Sequence, residues 1–77
     1  EDKYDEAIKA AKKATLYINQ DVNKLSLAYF FIAKCYIKLG DTDEALQKLD
    51  EAQLLTKDQS LLNKIVILKD KIKKGKL

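Results

Sequence analysis

Between Tyr4 and Ile18, apolar or small residues recur at Tyr4, Ala7, Ile8, Ala11, Ala14 and Ile18, three or four positions apart. That spacing collects them on one face of an α-helix and predicts a first helix over this stretch. Asp5 and Glu6 stand in its first turn and Lys9, Lys12 and Lys13 further along, the charge order that suits the helix dipole. Asn19 to Asn23 has no apolar period and three small polar residues that favour turns, so it is expected to be a connection.

A second helix is expected from about Lys24 to Leu39. Leu25, Tyr29, Ile32, Ala33, Tyr36 and Leu39 share one broad face, and Leu27, Phe30, Lys34, Ile37 and Lys38 form another, with Phe31 and Cys35 between them. A helix with two apolar faces lies in the middle of a fold or offers one face to something else. Gly40 supplies a left-handed stop, and Asp41 with Glu44 three residues later has the spacing of a capping box for a third helix, about Thr42 to Leu55.

The third helix turns Ala45, Leu46, Leu49, Ala52 and Leu55 inward and leaves Asp43, Glu44, Gln47, Lys48, Asp50 and Glu51 to solvent. Its two alanines admit a close helix approach. The fourth, about Gln59 to Lys74, starts after Asp58 or Ser60 as cap and lines up Leu61, Leu62, Ile65, Leu68 and Ile72, with Ile67 alone among the lysines of the other face. Gly75 marks its end. The expected fold is all-α, about four helices in antiparallel hairpins, as one domain over residues 1–77 with turns near Gln20, Gly40 and Lys57.

Within this pattern, Tyr29-x-x-Ile32-Ala33-x-x-Tyr36, then Gly40, then Ala45-x-x-x-Leu49-x-x-Ala52 resembles the tetratricopeptide repeat: large apolar, small, aromatic, turn glycine, paired alanines. The resemblance covers a half repeat, one full repeat from Ser26 to Gln59, and a terminal helix. The half repeat is visible internally, because Tyr4-Asp5-Glu6-Ala7-Ile8 echoes Thr42-Asp43-Glu44-Ala45-Leu46 at an offset of 45 − 7 = 38. The family period is about 34, and the surplus falls at Asn19 to Lys24. Lys57 stands where a proline is expected, and Ala33 where glycine is common. Asn63 and Asp70 replace large aromatics, so the fourth helix resembles the wet-faced capping helix that ends such arrays. A plain four-helix bundle is the competing architecture. A coiled coil is disfavoured, because no heptad pattern survives Gly40.

The resemblance implies a binding scaffold whose first helices line a concave groove. Matched by the repeat pattern, the groove face would be Leu27, Phe30, Lys34, Ile37 and Lys38, with Phe31 beside them, continued by Lys64, Leu68 and Lys71 of the fourth helix. Some members of the family hold a chain-terminal carboxylate with Lys, Arg and Asn side chains. Here the asparagines are absent, and Phe30 and Phe31 occupy places where polar groups would help. A mixed groove of aromatics and lysines suits a protein or peptide segment with apolar anchors and acidic neighbours. The alternative is self-association into a homo-oligomer, with Phe30, Phe31 and Ile67 covered by a second copy or by upstream repeats.

Composition narrows the function classes. Seventy-seven residues bury only about 60% of the surface the unfolded chain exposes, so stacked helices are a sensible solution. All fifteen basic residues are lysines; without the arginine fork, no specific nucleic-acid binding is expected. Residues 57–77 hold seven Lys and two Asp, net +5, which predicts weak, salt-sensitive adhesion to polyanions. With no histidine and the single cysteine Cys35, neither a metal site nor an activated nucleophile is expected, and Cys35 is assigned to packing. Asp41-x-Asp43 resembles the opening of a calcium loop but lacks the later ligands and the central glycine. Asp50 and Glu51 point to different sides of their helix.

Nothing in the chain combines into a catalytic constellation or a phosphate loop, so no enzyme activity and no cofactor are expected. No apolar run approaches the roughly 20 residues of a membrane span, and the acidic N-terminus does not suit a signal peptide. The lone cysteine fits a reducing, cytoplasmic setting. A chain opening on Glu1 rather than Met is expected to be a piece of a longer protein or a processed form.

Overall fold

A computed structural model describes residues 3–17 and 20–76. It is built of α1 (Lys3–Thr15), α2 (Val22–Leu39), α3 (Thr42–Leu55) and α4 (Gln59–Lys74), with no strand among the described residues. The third and fourth helices keep the boundaries expected from their punctuation. The first is shorter than expected: Leu16 and Tyr17 leave it as a turn, and the expected end at Ile18 lies outside the described residues, as does Asn19.

The second helix begins at Val22, two residues before the expected Lys24, because Asp21 is its cap: the Asp21 carboxylate accepts from the Lys24 amide at 3.2 Å. This satisfies one of the amides that a helix start leaves unpaired. At the other end Gly40 adopts φ 84°, donates its N–H to the Ile37 carbonyl at 3.0 Å, and lets Asp41 donate to the Tyr36 carbonyl at 2.9 Å. These paired bonds form a Schellman stop, which needs a left-handed residue that only glycine adopts without strain. The chain reverses directly into α3.

The expected capping box at Asp41 and Glu44 does not form, since the Asp41 side chain makes no cap bond. Its N–H is already committed to the stop of α2, and its carbonyl opens α3 by accepting from the Ala45 amide at 3.0 Å. Asp58 does cap α4, its carboxylate accepting from the Ser60 amide at 3.0 Å. Lys57, in the place expected for proline, uses the N–H that proline would lack, donating it to the Asn23 carboxamide at 3.4 Å.

α2 is the middle of the fold. On one side Ala33 is sealed against Ala45, Leu49 and Ala52 of α3 and Leu61 and Ile65 of α4. On another, Ile32 and Cys35 close on Ile8 of α1. Tyr29 and Tyr36 touch both clusters. Ala45 and Ala52 are wholly buried, so small side chains set the approach of α2 and α3. Ser26 is a fully buried polar residue that the hydrophobic pattern did not mark; its hydroxyl donates to the Asn23 carbonyl at 2.9 Å, which removes the cost of burying it.

Two expected core positions of α1 are not core. Tyr4 is 43% exposed and Ala14 is also exposed, because α1 packs mainly against α2 and buries only the strip through Ile8. The described residues span 34 × 31 × 16 Å. The thin dimension holds about two layers of helices whose axes lie roughly 8–10 Å apart, so α2 can form the core on one side and remain at the surface on another.

Candidate functional site

α2 and α4 lie on either side of α3 in the chain, and side chains from both line a groove of about 420 Å³. α2 contributes Phe30, Lys34, Ile37 and Lys38; α4 contributes Lys64, Ile67, Leu68 and Lys71. Each set is spaced by three or four residues, one face of a helix per wall. Three of the pairs are 34 apart, Phe30 with Lys64, Lys34 with Leu68 and Ile37 with Lys71, so the walls use the same register of successive helices.

The floor is apolar and continuous with the core. Phe30, Ile37 and Leu68 are half-buried against the cluster around Ala33 and Leu49, whereas Ile67 is 56% exposed. Lys34 holds its ammonium 5.6 Å from the centroid of the Phe30 ring, an attraction of about 0.5–1 kcal/mol at an exposed site.

Three lysines outside the groove are held by acids. Lys48 meets Glu51 at 3.1 Å and Lys74 meets Asp70 at 3.2 Å. Lys69 reaches across from α4 to Asp50 at 2.5 Å and to Gln53 at 2.8 Å on α3. Among the ion pairs of the described residues, none involves Lys34, Lys38, Lys64 or Lys71. The groove therefore gathers four lysines that no described carboxylate pairs.

Two further groups are perturbed, and neither lies in the groove. Contact with the Tyr36 phenol raises the pKa of Lys12, burial opposes this, and the charges of Tyr36, Glu44 and Glu51 assist it; the Lys12 ammonium sits 5.6 Å from the Tyr36 ring. Burial pushes the Cys35 thiol up, against a smaller opposite pull from Lys34. A thiol held protonated in this way is a poor nucleophile. Among the described residues, no group of three or more His, Cys, Asp or Glu is arranged to hold a metal ion, and no helix is long and apolar enough to cross a membrane.

Of the residues singled out from the sequence, Phe30, Lys34, Ile37, Lys38, Lys64, Leu68 and Lys71 come together here. Leu27 and Phe31 do not line the groove. They are 53% and 49% exposed, on α2 but away from the residues that line the trough. Ile67 was missed as a lining residue; its signal was its place three residues after Lys64 and four before Lys71. The clamp made by Lys69 was also missed, and no one-helix pattern carries it. Residues 26–59, which span α2 from its second turn, α3 and the loop into α4, match the family model described as tetratricopeptide repeat. No curated protein and no solved structure matches the chain.

Proposed function

Residues 26–59 form a tetratricopeptide repeat, a unit that generally mediates protein–protein interaction, and from this premise we propose that the chain holds a segment of a partner protein in the groove between α2 and α4. The observation that carries the proposal is the groove itself, an apolar trough edged by lysines on a helix whose other sides already supply the core. Its volume lies in the range of about 300–1,000 Å³ typical of ligand sites. The chain does no chemistry on what it holds; it is an adaptor.

Phe30 is the central anchor. Truncating it to Ala weakens binding of peptides selected against the unmodified domain by about 2 kcal/mol or more, with helicity by circular dichroism retained. Reversing Lys34 and Lys38 to Glu slows association with an acidic partner. A folded Phe30→Ala variant that binds every selected peptide as before would place the site elsewhere.

The exposure of Leu27 and Phe31 outside the groove favours a second reading, self-association through the outward side of α2. Sedimentation separates the two: a monomer at working concentration supports the open groove, and a dimer lost on Phe31→Ala supports self-association.

A further inference from the structure

We infer that the segment held in this groove is an internal acidic stretch with one bulky apolar side chain, and that a chain-terminal carboxylate is not required. The inference rests on the groove being the binding site, as proposed above.

Charge complementarity carries it. Lys38, Lys64 and Lys71 are exposed and line the groove together with Lys34, and none of the four is in an ion pair among the described residues. Like charges gathered around a low-dielectric floor repel one another, and an incoming anion relieves that repulsion as it binds. The acids lie along the ligand rather than at its end, because the lysines are spread along the walls. Lys64 and Lys71 are two turns apart on α4, about 10 Å, a length covered by about three residues of extended chain. A single terminal carboxylate reaches one end of that row only.

The apolar side chain follows from the floor. Ile67 is more than half exposed on the wall of α4 while Phe30 and Ile37 line the wall of α2, so filling the trough removes apolar surface from water on both walls. A nucleic-acid backbone would satisfy the lysines and leave this floor uncovered. A second copy of this chain is the competing occupant, because its exposed Tyr4 stands beside Asp5 and Glu6; a dimer in sedimentation that is lost on Lys64→Glu with Lys71→Glu would refute the inference.

The probes are short peptides, acetylated and amidated, that carry one leucine among glutamates. They are compared with versions having alanine for the leucine, glutamine for the glutamates, or a free C-terminal carboxylate, and with a single-stranded oligonucleotide. The parent peptide is expected to bind, and to lose affinity at least about tenfold with either replacement, each tenfold being one decade in Kd. Freeing the carboxylate changes affinity by less than about threefold, well inside the decade expected for a lost contact. Lys64→Glu combined with Lys71→Glu lowers the association rate at low salt by at least about tenfold, within the one to three decades that interface changes span. These lysines are exposed, and circular dichroism checks the fold of the double variant. Ile67→Ala is the second variant; it weakens the parent peptide and leaves the version with alanine for the leucine nearly unaffected.

Several results overturn the inference. If neutral peptides selected from a library bind with sensitivity to Ile67→Ala while the glutamate peptide does not bind, the ligand chemistry is wrong and the groove stands. If the glutamate peptide binds and neither variant alters it, the groove itself is wrong. A requirement for the free carboxylate, or an oligonucleotide that binds the groove as tightly as the peptide, also refutes it.

Discussion

On one side of α4, Lys69 folds down onto α3, its ammonium 2.5 Å from Asp50 and 2.8 Å from Gln53. On the other side, Lys64 and Lys71 line an apolar trough and are in no ion pair among the described residues. The residue type is the same and the helix is the same. What differs is the neighbour: α3 offers an acid and an amide, whereas α2 offers Phe30, Ile37 and two more lysines. A lysine is a strut where the next helix carries an acceptor and a bare charge where it does not, so the placement of the acids divides the closed side of this fold from the open one.

The contrast is broken most severely through the seam. Leu49 is wholly buried between α2 and α4, and Leu49→Ala is expected to cost about 2–5 kcal/mol of stability in urea unfolding. Ile67→Ala, on the open side, is expected to stay within about 0.5 kcal/mol of the parent. Equal losses at the two positions would mean that the trough is part of the core.

The turn comes next. A side chain added at Gly40 meets nothing within 4 Å, so Gly40→Val tests backbone conformation alone and is expected to cost about 1–2 kcal/mol, the penalty for an L-residue held left-handed. A variant as heat-stable as the parent would show that the hairpin closes without this stop.

The smallest effect sharpens the comparison most. Lys69→Met removes a partly exposed ion pair and is expected to cost at most about 1 kcal/mol. Lys64→Met is expected to leave stability unchanged or slightly improved, because it relieves repulsion among the groove lysines. Urea titrations of the pair at low and high salt read both; identical shifts would erase the distinction between strut and bare charge.

The helices were legible because punctuation agreed with period. Gly40, Asp58 and Gly75 bracket α3 and α4, and the bounds expected there are the bounds observed. The start of α2 was misplaced because Asp21 sits in a polar run that looks like loop, and only its bond to the Lys24 amide makes it a cap. The capping box failed for a related reason: a spacing of three between Asp41 and Glu44 is necessary for the motif, but the hairpin had already oriented Asp41 to close α2.

The wheel of α2 separated the face of Phe30 and Ile37 from the face of Ile32 and Ala33. It could not say where the wall of α4 stops, so Leu27 and Phe31 were included and lie outside. Ile67 was the opposite case: isolated on the wheel of α4, it has apolar company only where Phe30 and Ile37 of α2 line the same trough. Faces of single helices follow from period, whereas edges and pairings depend on two helices together.

The bond from the Lys57 amide to Asn23 joins positions 34 apart, the period of the family. Translated by one period, Asn23 falls on Lys57, so the bond ties a position to its own image. The link is directional: position 57 gives a backbone amide and position 23 a side-chain oxygen, and because a lysine side chain has no acceptor, Lys57 cannot offer the same oxygen to a unit that follows. The donor half tolerates any replacement at position 57 except the proline that the pattern prefers, whereas the acceptor half is lost with the Asn23 carboxamide, so this seam between successive units is held from one side only.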